Sequence, residues 1–136
     1  MKKYIITPVL LTIACMVMCH CTFNRKASVA ANEYLIQGEL ANLPDSIVIG
    51  LYEEDGSILN CVWRDTLMNG QFSFRDTVST TRKMLIMSDN RGFPGTWLEV
   101  WIAPGEYIEI KGQDKLVKTW EVVSDVPEQQ EENLSL

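Results

Sequence analysis

Residues 60–78 read NCVWRDTLMNGQFSFRDTV. Two runs of alternating apolar and polar residues flank one Asn-Gly pair at 69–70. Both residues tolerate positive φ, which a two-residue type I′ turn requires at its two central positions. The stretch therefore reads as a β-hairpin closing at Asn69-Gly70. The triplet Arg-Asp-Thr stands on each side of it, at 64–66 and 75–77. A two-residue turn sets Arg64 against Arg75, an unfavourable pair, and a bulge is expected to offset the register.

The period of two extends in both directions. EYLIQGEL (33–40) alternates Tyr34 and Ile36 against Leu35 and Gln37. NLPD leads into a second strand, Ser46 to Glu53. Pro44 fixes φ in that turn and Asp45 can bond the backbone that follows. EDGS turns the chain into SILNCVWRDTL, the third strand, and QFSFRDTV is the fourth. KMLIMSD (83–89) reads as a fifth, mostly buried strand, and NRGFPG as a loop. TWLEVWIAPGEYIEIKG (96–112) reads as a second hairpin. Leu98, Val100 and Ile102 share a face with Ile108 and Ile110. Pairing Ile102 with Ile108 leaves a three-residue loop, Pro104-Gly105-Glu106. LVKTWEVVS (116–124) supplies a last strand, and no segment carries a helical period.

Seven to eight short strands with regular turn signals predict an all-β fold, an antiparallel β-sandwich. A small, partly closed β-barrel shares this signature and is the alternative. Tyr52, Trp63, Phe72, Phe74, Trp97, Trp101 and Trp120 are expected to pack in the core or on sheet faces. Cys61 alternates with Leu59 and Trp63 and is expected to be an inert buried thiol.

Before the strands, Lys2 and Lys3 precede an apolar run from Tyr4 to Met18, and the chain turns polar at Thr22. This is a secretory leader profile, marginal in length for a membrane span. ACMVMCHC (14–21) holds three of the four cysteines and the single histidine. Cys19, His20 and Cys21 are adjacent, so their side chains diverge. No second Cys/His pair follows, so no metal is expected, and no cofactor. The spacings are not the C-x-x-C of a redox pair. A cysteine after an apolar run and before a polar linker resembles a bacterial lipoprotein signal, in which that cysteine is acylated and becomes the N-terminus. Cys21 is the expected lipidation site, with Cys19 the runner-up. The competing reading is ordinary cleavage near ASVAA (27–31). The resemblance implies lipid anchoring in the cell envelope, facing the periplasm or the cell surface. The division expected is leader 1–21, polar tether 22–32, β-domain 33–124 and acidic tail 125–136.

The net charge is −6, from 12 basic and 18 acidic residues. No basic stripe is present, which argues against nucleic acid as a partner. Asp125, Glu128, Glu131 and Glu132 read as a solvated tail.

Several phrases together resemble a known module. They are YLIQGELANLPDSIVIGLYEEDG, NGQFSF, LEVWIAPGEYIEIKG and SDVPEQQEENL. In order and spacing they are similar to the DUF4369 domain, the small β-domain at the N-terminus of many Bacteroidetes thioredoxin-like lipoproteins. The resemblance covers about residues 33 to 132. It implies that PEQQEENL is the junction into a linker helix, which in the family precedes a thioredoxin fold. No C-x-x-C pair is present, so disulfide exchange carries over to no residue here.

Catalytic readings are weak on composition. Nucleophilic triads need a histidine base, and the chain beyond Cys21 contains none. Phosphate-cradling glycine motifs are absent. Glu99, Glu106 and Glu109 on one predicted hairpin, and Glu53, Glu54 and Asp55 on one turn, are the paired-carboxylate candidates. The expectation is a non-enzymatic, membrane-anchored accessory or interaction module with a protein partner in the envelope. The alternative is the N-terminal domain of a redox lipoprotein. A weaker one is small-molecule or glycan binding at the loop GFPGTW, through Phe93 and Trp97.

Overall fold

The computed structural model describes residues 28–135. The segment read as a leader, with Cys19 and Cys21, lies outside the described residues. Eight strands and one helix follow in order: β1 (Glu33–Leu40), β2 (Ile47–Asp55), β3 (Ile58–Leu67), β4 (Gln71–Thr77), β5 (Arg82–Met87), β6 (Leu98–Ile102), β7 (Tyr107–Gly112), β8 (Glu121–Val123) and α1 (Pro127–Leu134). They form two four-stranded sheets. Sheet I has the order β4-β1-β7-β8 and sheet II the order β3-β2-β5-β6. Facing each other, unclosed, they make the sandwich that the period of two predicts.

Alternation explains the core. Tyr34, Ile36, Leu40, Phe72, Phe74, Ile108 and Ile110 project from sheet I; Ile47, Ile49, Leu51, Leu67, Met84, Ile86, Val100 and Ile102 project from sheet II. Each apolar side chain so buried contributes about 1.5–3 kcal/mol. Gly38 lies opposite Phe72 in the β1–β4 ladder. A Cβ at Gly38 would come within 1.9 Å of the Phe72 ring. The missing side chain is what seats that ring.

The Asn69-Gly70 turn forms as read, with φ of 51° and 75°. Met68 and Gln71 exchange backbone hydrogen bonds of 3.1 and 2.9 Å. The hairpin does not follow. Beyond this single bridge, β3 pairs with β2 and β4 pairs with β1, in different sheets. Both flanking runs must bury one face against the other sheet, so the turn becomes a corner between layers. Arg64 accordingly stands beside Gly50 and Arg75 beside Leu35. The predicted clash does not arise, and the bulge sits elsewhere, at Val62, between the pairs Leu51–Trp63 and Tyr52–Cys61.

The 96–112 hairpin is corrected in the same way. Val100, Ile102, Ile108 and Ile110 do face one core, but from opposite sheets. β6 pairs with β5, while β7 pairs with β1 in parallel. Ile102 lies opposite Arg82 and Ile108 opposite Ile36. The sandwich is therefore antiparallel-rich, with one parallel ladder. Asp45 also acts differently from expectation: its carboxylate accepts the Asn69 N–H at 2.9 Å, tying two turns together.

The acidic tail is not simply solvated. Pro127 opens α1 at a position where its missing N–H costs nothing, and the helix docks beside β6 and β8. Val126 and Gln129 are buried.

Candidate interaction surfaces

The predicted carboxylate sets do not converge. Glu99 lies on sheet II with its carboxylate 3.7 Å from Lys83, and Glu109 lies on sheet I, 3.3 Å from Lys111. Glu53 pairs with Arg82 at 3.2 Å. Such exposed pairs contribute little stability. Among the described residues no group of three His, Cys, Asp or Glu side chains stands close enough to hold a metal.

The loop residues separate by role. Phe93 is buried and packs edge-on against Trp120, with ring centroids 5.7 Å apart at 77°. It anchors residues 88–97 to residues 113–120. Lys115 Nζ donates to the Arg91 carbonyl across the same junction, at 3.1 Å. Trp97 is 52% exposed and is the aromatic this loop presents to solvent. Trp63 is likewise half-exposed, contrary to the expectation of packing.

An open hollow of about 560 Å³ lies on the outer face of sheet I. Gln37, Glu39, Asp65, Gln71, Ser73, Tyr107 and Glu109 line it. Tyr107 donates its hydroxyl to Gln37 Oε1 at 2.9 Å. Burial, then the Glu109 carboxylate, raises the pKa of that hydroxyl, so it serves as a donor rather than a base. Burial and the Asp76 carboxylate push Tyr34 up to about 12. The hollow presents hydrogen-bonding side chains to solvent.

The sheet edges are the more distinctive surface. An edge strand presents unpaired backbone groups, which natural sheets cover or blunt. On three of the four edges a side chain from another element takes a backbone group. On β4, the Ser73 N–H donates to Asp65 Oδ2 at 2.7 Å. On β6, the Trp101 N–H donates to Gln129 Oε1 at 2.9 Å. On β8, the Val122 carbonyl accepts from Asn133 Nδ2 at 2.9 Å. Gln129 and Asn133, one helical turn apart, also bond each other at 3.0 Å, so α1 spans both edges with a chain of amides. The fourth edge is β3, the longest strand; its own Cys61 and Asp65 take the Trp63 carbonyl and the Thr66 N–H, and among the described residues no side chain takes a backbone group between Ile58 and Val62. Ile58, Leu59 and Trp63 on it are exposed.

Cys61 belongs to this edge. It is partly exposed, on the face of Tyr52, and donates its thiol to the Trp63 carbonyl at 3.3 Å. The expectation of a buried thiol fails because an edge strand covers only one side of its residues. No family model, no curated protein and no solved structure matches this chain.

Proposed function

We propose that this protein is a non-catalytic interaction module of the cell envelope, held to a membrane through a lipid on Cys21. The observation that supports the reading is where the sandwich receives its N-terminal segment. Arg75 Nη2 donates to the Ser28 carbonyl at 3.2 Å, and the Val78 N–H donates to the Asn32 carbonyl at 2.9 Å. These contacts lie at the end where β1 begins. Residues 88–97 and 113–120, with Trp97, lie at the other end. A tether at one end leaves that loop pair facing away from the membrane. Two or more acyl chains give firm anchoring where one does not.

The test is metabolic labelling with a radioactive fatty acid, followed by membrane fractionation. The wild-type chain should carry label and stay with the membrane in plain buffer. Cys21→Ser should lose both properties. Label retained in Cys21→Ser and lost in Cys19→Ser moves the anchor; no label in the wild type rejects it.

A second reading has one observation in its favour. Pro127–Leu134 is helical, where the DUF4369 resemblance implies a linker helix. On that reading the sandwich is the N-terminal domain of a thioredoxin-like thiol-disulfide oxidoreductase lipoprotein.

A further inference from the structure

We infer that the free edge of β3 is a self-pairing seam. Two copies of the chain join there, antiparallel about a two-fold axis at Asn60, and sheet II becomes a continuous eight-stranded sheet. The four sheet edges differ in what meets them. Asp65, Gln129 and Asn133 occupy backbone groups on β4, β6 and β8. Among the described residues no element other than β2 hydrogen-bonds to β3 between Ile58 and Val62. Exposed Ile58 and Leu59 flank that segment's start, at 61% and 46% exposure.

The segment complements itself. Antiparallel pairing keeps opposed residues on one face. With Asn60 opposite Asn60, Leu59 meets Cys61 on the outer face and Ile58 meets Val62 on the other. Each apolar pair occurs twice, as a two-fold interface requires. Charge agrees with this register. Glu54 and Asp55 lie at the tip of the β2–β3 hairpin, beside Leu59 and Ile58 in the ladder. The bulge at Val62 returns Arg64 to the outer face, opposite Gly50. Arg64 of one copy thus lies at the end of the seam next to the tip carboxylates of the other. The same bulge ends regular pairing, so the seam is short, Ile58 to Val62. Asp65 does not intrude, since its carboxylate holds the N–H groups of Thr66 and Ser73.

This inference names a partner for the interaction module but does not depend on the lipid. Fatty-acid labelling reads the anchor; cross-linking reads the seam. The experiment uses the full chain in neutral detergent, at fewer than one chain per micelle, under mild oxidation. Asn60→Cys should give a covalent dimer bonded between residues 60 and 60. Leu59→Cys should give one bonded between residues 59 and 61. Both should form at least tenfold faster than the dimer of Ser73→Cys, a control on the β4 edge. In the Leu59→Cys background, Arg64→Glu and Glu54→Lys should each slow the reaction, and the two together should restore it. Unchanged far-UV spectra verify folding of each variant. Cross-linking no faster than the control, bonds at other positions, or failure of the charge swap to restore the rate would overturn the seam. So would saturation of the edge by another protein, or by residues 22–27 of the same chain.

Discussion

At the scale of single residues, Glu132 makes the docking of α1 sensitive to acid. Its Oε2 accepts the Trp101 indole N–H at 2.6 Å. Burial first, and then the hydrogen bond with Glu99, hold its pKa above the usual carboxylate value; the indole and Lys83 pull the other way. A raised pKa means that the docked state binds the proton more tightly than the unfolded chain does. That contribution is complete below the unfolded pKa and is lost as pH rises through the folded one. α1 should therefore sit more firmly in mild acid than at neutral pH. Amide exchange at Trp101, corrected for its intrinsic pH dependence, should slow as pH falls from neutral through the raised pKa of Glu132. Glu132→Gln should flatten the profile. A profile that stays steep in that variant would assign the effect elsewhere.

At the scale of elements, the lesson lies in what covers an edge. Gln129→Leu keeps the size and removes the acceptor, so the Trp101 N–H is left without its partner. A buried donor stranded in this way costs about 1–3 kcal/mol. Denaturant unfolding should show that loss, and exchange at Trp101 should rise well above that of the β2 and β5 amides. Equal exchange in both forms would mean that the amide chain does not hold the helix. This contact also explains what the sequence leaves hidden. Alternation identifies the inward positions well: Ile36, Phe74, Ile49, Ile86, Val100 and Ile108 are all buried. It is silent on which sheet each joins, because an inward residue looks the same from either side. Asn69-Gly70 and Pro104-Gly105-Glu106 were legible as turns, but not as corners. α1 escapes a periodicity search because it docks through Gln129 and Asn133 rather than through an apolar stripe. Phe93 and Trp97 stand four residues apart in one loop. Only packing against Trp120 distinguishes the anchor from the exposed ring.

At the scale of the whole molecule, charge and connectivity matter most. Residues 28–135 carry eight basic and eighteen acidic side chains, a net charge of −10. Self-repulsion of this kind opposes compaction, and salt screens it over about 8 Å at physiological strength against about 30 Å at 0.01 M. Tm should rise by roughly 2–5 °C between those conditions. A fall would mean that the exposed ion pairs outweigh the repulsion. Connectivity sets a different limit. β1 is synthesised first, yet it lies between β4 and β7, and Leu35 pairs with Tyr107. Closing that ladder brings together residues more than seventy positions apart, which slows folding. A ribosome or a secretion pore delivers the chain from its N-terminus. β1 must then wait with its β7-facing edge bare until residue 112 has emerged, and any holdase that guards this chain in transit has its natural target there.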